Sequence, residues 1–127
     1  MTRQDAVAAV ILTASLATWA AMCSQPAKAA DTVPFVVALD RAPVDVPVAF
    51  AKDASTVIQC ESRWRADAIS PTDDWGLFQL NRRWQSQRVR AMGYEWADVI
   101  DPAINTRIAV AIWESWGQSW EAWSCKP

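Results

Sequence analysis

Residues 60–84 of the chain read CESRWRADAISPTDDWGLFQLNRRW. The apolar pair Val57-Ile58 leads into Glu61, and two more carboxylates, Asp73 and Asp74, lie in a polar turn farther along. Cleavage of a glycosidic bond requires a carboxylic acid that stays protonated near neutral pH in apolar surroundings. Some enzymes also use a second, ionised carboxylate across the scissile bond. Glu61, with Asp73 or Asp74, would supply both groups.

A helix is predicted for residues 47–62, with Glu61 in its last turn. Pro47 suits a first-turn position, where its missing N–H costs nothing. Glu61 ends a stripe of residues with helical spacing, whose other members are Phe50, Ala54 and Val57. Desolvation on this apolar face would raise the pKa of Glu61. A solvated glutamate near a helix end is the alternative interpretation, which periodicity alone leaves open.

The same stretch resembles the lysozyme-like superfamily, which includes soluble-type lytic transglycosylases and goose- and chicken-type lysozymes. The matching pattern consists of Glu61-Ser62, Ser70 and the Gly-Leu-Phe-Gln-Leu-Asn run at 76–81. The run Thr-Asp-Asp-Trp-Gly at 72–76 is also similar to the Thr-Asp-Tyr-Gly of chicken-type lysozymes. The resemblance covers residues 57–125 and implies a mainly α (α+β) fold. In such a small single domain, a short hairpin or turn flanks the active-site cleft.

The resemblance also implies roles for the matching residues. Glu61 would be the catalytic acid, and Asp74 would stand at the second carboxylate. The residues expected to bind the substrate or to hold the acid are Ser70, Gln79, Asn81, Trp84 and Trp113. Trp113 takes the place of a family Tyr that contacts the acid, and Trp84 matches a tryptophan that stacks on sugar. The alternative for the aspartates is a turn-forming role, and the alternative for the tryptophans is core packing. We favour core packing for the tryptophans of the mature chain other than those just named.

The function implied by the resemblance is cleavage of the β-1,4 bond between N-acetylmuramic acid and N-acetylglucosamine in peptidoglycan. Lytic transglycosylase and lysozyme chemistry both stay open, because the Gly76–Gln79 run occurs in both. A non-catalytic wall-binding protein is the alternative function, and an inhibitor or adhesion protein is another. Glu61 together with the complete downstream motif favours an enzyme, with glycan strands as its partner.

The amino-acid composition limits the kinds of catalytic chemistry and the kinds of partner that the chain can have. The chain has 127 residues, enough for one domain, and is 52% hydrophobic. A net charge of -2 gives no support for a nucleic-acid partner. The absence of His excludes Ser-His and Cys-His nucleophile systems and removes the commonest zinc ligand. We therefore expect no metal and no cofactor, and we expect a monomer.

The first residues have the pattern of an export signal. Arg3 precedes an apolar segment at 6–22, and Ala27-Lys28-Ala29 offers a cleavage site. Residues 1–29 are therefore predicted to be a signal peptide, and the product to be secreted or associated with the cell wall. Contact with a membrane is expected only through this segment. An uncleaved anchor is the alternative, whereas Met22 argues against a lipoprotein site at Cys23.

Cleavage after residue 29 also decides the cysteine count. It removes Cys23 and leaves Cys60 and Cys125. An even number of cysteines in an exported chain predicts a disulfide. Two free buried thiols are the alternative.

The remaining segments follow from local signals. Residues 30–46 are predicted to be an extended linker, with Phe35-Val36-Val37 packing on the domain, and residues 47–127 are predicted to form the lysozyme-like catalytic domain. A helix is expected at 82–92, with Asn81 as its N-cap and Gly93 after its end. Another is expected from Asp101-Pro102 to about Trp116. The residues expected to face inward on it are Ile104, Ile108, Ala111, Ile112 and Ser115. The arginines between 63 and 90 are interpreted as a solvated face or as an attraction for an anionic polymer.

Overall fold

The computed structural model describes residues 31–127, so the predicted signal peptide lies outside the described residues. Three helices and two small hairpins make up this part of the chain. In order they are β1 (Thr32–Phe35), β2 (Val44–Pro47), α1 (Val48–Glu61), β3 (Asp74–Trp75), β4 (Leu80–Asn81), α2 (Arg82–Ala91), a 3₁₀ helix (Trp96–Ile100) and α3 (Pro102–Ser115). The predicted fold class, a small mainly α domain with a short hairpin, is confirmed.

Helix α1 supplies the centre of the core and presents Glu61 at its end. The buried residues of the helix are Phe50, Ala54, Val57 and Ile58. Three of them form the predicted stripe that ends at Glu61. Pro47 precedes the first helical residue as the N-cap.

The segment before α1 is more than the predicted linker. Strands β1 and β2 pair antiparallel, with Val33 opposite Val46 and Phe35 opposite Val44. Val44 and Val46 alternate inward along β2 and are buried, as is Val37. Each of these residues belongs to the hydrophobic core. This stretch is therefore part of the folded unit, because its alternating valines pack on the hydrophobic core.

A tight loop joins β3 to β4 and carries the Gly-Leu-Phe-Gln motif. Leu77 and Phe78 are fully buried in it. Gly76 and Gln79 both have positive φ, at 78° and 49°. A Cβ on Gly76 would lie 2.2 Å from Nδ2 of Asn105. Gly76 is therefore required by its backbone conformation and by the close approach of a side chain from α3.

Asn105 ties this loop to the rest of the domain. Its side chain is completely buried. Its Oδ1 accepts from the backbone N–H of Phe78 at 2.9 Å, and its Nδ2 donates to the carbonyls of Trp75 and Val99, each at 3.0 Å. One side chain thus holds the motif loop, the 3₁₀ helix and α3 together.

The other helices begin where their caps predict. The Asn81 side chain accepts from the backbone N–H of Trp84 at the start of α2. The Asp101 side chain accepts from the N–H groups of Ala103 and Ile104 at the start of α3. The prediction of the inward face of α3 is confirmed for Ile108 and Ile112, which are buried, and for Ile104, which is partly buried against the core, but Ser115 is exposed. The buried residues of α3 are Pro102, Asn105, Thr106, Ile108, Ala109, Ile112 and Trp113.

The C-terminal segment returns to the end of α1. Cys60 and Cys125 form a disulfide, with their Cα atoms 5.9 Å apart. The predicted pairing is thus confirmed. Trp120 packs on Phe50 with 4.8 Å between ring centroids, and Trp123 packs on Trp120 at 5.1 Å. Within residues 31–127, the structure has no helix that is both long and apolar enough to cross a membrane.

Candidate active site

Glu61 lies at the last position of α1, partly buried, where the C-terminal segment meets the helix. Its Oε1 accepts a hydrogen bond from the backbone N–H of Cys125 at 3.0 Å. Partial burial raises the pKa of Glu61, and the negative charge of Asp74 acts in the same direction. The N–H groups of Cys125 and Ser124 oppose this shift without cancelling it. The carboxyl group is therefore oriented by the backbone and biased toward its protonated form.

Asp74 has the opposite electrostatics. Its Oδ2 accepts from the hydroxyl of Ser70 at 2.7 Å and from the hydroxyl of Thr72, and its Oδ1 accepts from Nδ2 of Asn81 at 2.9 Å. Partial burial acts to raise the pKa of Asp74, but the three hydrogen bonds outweigh it and the pKa is lowered. Asp74 is thus an ionised carboxylate held by side chains of its own hairpin.

Both carboxyl groups line one cleft, with a volume of about 570 Å³. The hairpin and the start of α2 form one wall, and the end of α3 and the C-terminal segment form the other. The lining residues are Glu61, Ser70, Asp74, Gln79, Leu80, Asn81, Trp84, Gln85, Ile112, Trp116, Glu121, Ala122, Trp123 and Ser124. The fold thus brings together six of the seven residues that the sequence predicted for the site.

Trp113 is the seventh, and it does not line the cleft. The residue is 2% exposed and packs edge-on against Phe50, with 5.6 Å between ring centroids. Its Nε1 has no hydrogen-bond partner among the described residues, so it donates nothing to Glu61. The reason is the rotation of α3, which turns Trp113 into the core and Ile112 toward the cleft.

Two exposed tryptophans border the cleft. Trp84 is 70% exposed and Trp116 is 56% exposed, although large apolar rings are usually buried. The guanidinium of Arg83 lies 4.9 Å from the centre of the Trp84 ring. Exposed aromatic faces beside a cleft suit stacking on sugar rings. Trp84 was expected in this setting, whereas core packing was expected for Trp116.

Gln79 and Asn81 act on the hairpin as well as lining the cleft. Nε2 of Gln79 donates to the carbonyls of Ala68 and Gly76 at 3.1 and 2.9 Å. Asn81 donates to Asp74 and to the carbonyl of Thr72, and caps α2. The amide groups therefore hold the loop conformation that keeps Asp74 in the cleft wall.

The C-terminal segment is the part of the site that the sequence prediction missed. Glu121, Ala122, Trp123 and Ser124 line the cleft. Trp123 is anchored by a hydrogen bond from its Nε1 to the carbonyl of Phe78 at 2.9 Å. The one signal in the sequence was the predicted Cys60–Cys125 disulfide, which requires residues near Cys125 to lie close to Glu61.

Residues 31–127 contain no group of three or more His, Cys, Asp or Glu side chains that could hold a metal ion. The cleft instead combines an acid biased toward protonation, an ionised carboxylate and exposed aromatic rings. This set can donate and accept a proton beside a bound sugar.

Comparison with protein families agrees with this geometry. The family model described as Transglycosylase SLT domain matches residues 51–124, from within α1 to the residue before Cys125. No curated protein and no solved structure matches the chain significantly. The match covers more than half of the chain and contains every residue that lines the cleft, and the chain therefore belongs to the transglycosylase SLT domain family, within the lysozyme-like superfamily.

Proposed function

We propose that this chain is a lytic transglycosylase that cleaves the β-1,4 bond between N-acetylmuramic acid and N-acetylglucosamine in peptidoglycan. Membership of the SLT family supports this class of peptidoglycan cleavage. The observation that carries the proposal is the state of Glu61, a cleft carboxyl group with a raised pKa that backbone N–H groups orient. A general acid needs this combination of protonation and fixed direction.

In the proposed reaction, Glu61 is the one acid and base. Its carboxyl group gives a proton to the glycosidic oxygen as the bond from that oxygen to C1 of muramic acid breaks. The Glu61 carboxylate then takes the proton of the C6 hydroxyl of the same muramic acid, and the C6 oxygen bonds to C1. The products are a 1,6-anhydro sugar and a free 4-hydroxyl, and no water is consumed.

Asp74 supports this mechanism over the two-carboxylate alternative. Ser70 and Thr72 both donate to Oδ2, and Asn81 donates to Oδ1. Three donors stabilise the ionised carboxylate, which makes it a weaker nucleophile and holds it against the hairpin. In our proposal Asp74 shapes the hairpin, and its negative charge contributes to the raised pKa of Glu61. Ser70, Gln79, Asn81 and Trp84 position the sugar or the acid.

The cellular location of the protein and the limits of its folded domain are part of the same proposal. We propose that residues 1–29 direct export and that the folded unit begins near Asp31 with the β1–β2 hairpin. Action on peptidoglycan agrees with a place outside the cytoplasmic membrane. The alternative function is a wall-binding protein that keeps the aromatic cleft and lacks turnover.

Analysis of digestion products tests the proposal. Purified protein incubated with cell wall should release 1,6-anhydro-muropeptides, identified by mass spectrometry. Glu61→Gln keeps shape but cannot donate the proton, and loss of a general acid reduces rates roughly 100- to 10,000-fold. The variant should therefore lose activity while it still binds wall and stays folded. Products with reducing ends alone would indicate a lysozyme, and wall binding without any products would indicate the non-catalytic alternative.

A further inference from the structure

A second depression borders the cleft on its α2 side. Its volume is about 420 Å³, and Trp84, Gln85, Gln87, Arg88 and Ala91 line it. Trp84 and Gln85 also line the cleft, so the two depressions lie side by side. Positions 84, 88 and 91 are spaced by four and three residues, which places them on one face of α2. A substrate bound in the cleft can therefore extend past Trp84 to Arg88.

The side chain of Arg88 is held in one place by neutral groups. Its Nε donates to Oε1 of Gln85 at 3.2 Å, its Nη1 to the carbonyl of Ala111 at 3.4 Å, and its Nη2 to the hydroxyl of Ser115 at 3.1 Å. The ion pairs found within residues 31–127 join Arg41 to Asp101 and Lys126 to Glu121, so Arg88 takes part in none. Its positive charge therefore has no acidic partner in the described part of the chain.

The guanidinium of Arg88 keeps N–H donors that a ligand could use. A guanidinium carries five N–H groups, of which these contacts use three. The two that remain lie one on each terminal nitrogen. Each terminal nitrogen therefore keeps one N–H that can donate a charge-assisted hydrogen bond to a carboxylate oxygen. Because Gln85, Ala111 and Ser115 already fix the side chain, binding would cost less rotamer entropy than at a free surface arginine.

The two depressions differ in their ionisable side chains, which are acidic in the cleft and basic in the second depression. The titratable residues that line the cleft are Glu61, Asp74 and Glu121, so the cleft contains carboxyl groups and no basic side chain. Arg88 is the charged residue that lines the second depression. An anionic group of the substrate would be repelled inside the cleft and attracted beside Arg88. A glycan backbone is uncharged, whereas the substituent on muramic acid carries carboxylates.

We infer that the depression beside Arg88 binds a carboxylate of the substituent on muramic acid while the glycan backbone lies in the cleft. The inference rests on the proposed peptidoglycan substrate and adds to it a preference for strands whose substituents are charged. If Arg88 only joined α2 to α3, its replacement would affect all substrates equally.

Binding measurements on the Glu61→Gln protein test the inference without requiring catalysis. The ligands are a peptide-bearing glycan fragment, the same fragment with its carboxylates amidated, and a peptide-free fragment with a free lactyl carboxylate. Arg88→Gln should raise the Kd for the peptide-bearing fragment about five- to tenfold, the range for one charge-assisted contact at a partly exposed site. The Kd for the amidated fragment should stay within about twofold, since its neutral groups have no charge to lose.

Matched variants separate the contact from a loss of structure. Arg90→Gln removes the same charge from an exposed position of α2 outside the depression and should leave every Kd unchanged. Arg88→Lys should recover part of the affinity for the charged fragments alone. Thermal denaturation establishes that each variant is folded. In the active protein, Arg88→Gln should raise KM for peptide-bearing wall and leave kcat unchanged.

The outcomes distinguish the sources of the carboxylate and the two proposals. An effect of Arg88→Gln on the peptide-free fragment identifies the lactyl carboxylate as the ligand, and no effect there identifies the peptide. The inference is overturned if Arg88→Gln weakens binding of the charged and the amidated fragments equally. It is also overturned if the protein that keeps Arg88 binds both fragments with the same Kd. Failure of the active protein to release products, with the charge preference intact, would count against the proposed reaction alone.

Discussion

At the scale of residues, the cleft holds two carboxyl groups whose pKa values are shifted in opposite directions. Burial raises the pKa of Glu61, while hydrogen bonds from Ser70, Thr72 and Asn81 lower that of Asp74. Divergent environments of this kind separate the groups into a proton donor and a fixed anion. The two are also coupled, because the charge of Asp74 contributes to the raised pKa of Glu61.

We predict that Asp74→Asn moves the alkaline limb of the pH–activity profile to lower pH. The reaction needs protonated Glu61, so kcat/KM falls as pH rises through the pKa of that group. Removal of the Asp74 charge takes away one cause of the raised pKa, and Glu61 then ionises at lower pH. The measurement is kcat/KM on wall fragments between pH 4 and 8, values chosen to span the ordinary and raised carboxyl pKa range.

The size of the activity loss in Asp74→Asn distinguishes the mechanism with one acid from the mechanism with two catalytic carboxylates. With Glu61 as the one acid and base, the maximal rate of Asp74→Asn should fall less than about tenfold, and far less than for Glu61→Gln. The hydroxyl of Thr72 can turn to accept from the new amide, and the amide oxygen can still accept from Asn81, which preserves much of the hairpin. An unmoved alkaline limb would contradict the coupling, and a loss as large as that of Glu61→Gln would indicate a second catalytic carboxylate.

At the scale of elements, the β3–β4 loop is positioned by a side chain from another element. The loop has positive φ at Gly76 and Gln79, and left-handed backbone at a non-glycine residue is unfavourable unless its surroundings compensate. Hydrogen bonds from Gln79 stabilise the loop from within, and Asn105 of α3 stabilises it from behind. The cleft wall therefore depends on α3 as much as on its own sequence.

We predict that Asn105→Ala destabilises the domain by about 2–5 kcal/mol, because it removes the side-chain partner of the buried Phe78 N–H and Val99 carbonyl and of the partly buried Trp75 carbonyl. Chemical denaturation of the variant measures this change. Arg107→Ala, at an exposed position of the same helix, is the control and should change stability by less than about 0.5 kcal/mol. Equal effects of the two substitutions would show that the buried hydrogen bonds contribute little.

At the scale of the whole molecule, the disulfide closes the domain around its site. It joins residues 65 positions apart and brings the C-terminal segment to the end of α1. The backbone N–H of Cys125 then reaches Glu61, and the residues before it form a wall of the cleft. Stability and site geometry thus depend on the same covalent bond.

We predict that reduction lowers both stability and activity. A closed loop of this length contributes roughly 4 kcal/mol by chain entropy, and the corresponding fall in Tm for a domain of this size is roughly 15–30 °C. Activity should fall even at temperatures where the reduced protein is folded, because the segment that orients Glu61 is released. Calorimetry and turnover, each with and without reductant, provide the measurement.

Reoxidation is the control for this prediction and should restore Tm and turnover together. A reduced protein that keeps full activity below its Tm would show that the aromatic anchors of Trp120 and Trp123 are enough to hold the segment on Glu61.

Local sequence determined the parts of this protein that depend on neighbouring residues. The apolar stripe placed Glu61 at the end of a helix, and Asn81 and Asp101 marked the starts of two more, because caps and periodicity act within a few residues. The cysteine count after the predicted cleavage gave the disulfide. The family motif identified six of the residues that line the cleft, since those residues lie close together along the chain.

Tertiary structure alone decided which side of each element meets the core. The sequence could not distinguish Trp113, which is buried, from Trp116, which borders the cleft, because the rotation of α3 is set by what packs against it. The valines of the predicted linker became core for the same reason. The place of residues 121–124 beside Glu61, and the anchoring of Arg88 by Ala111 and Ser115, likewise follow from contacts between segments distant in the chain.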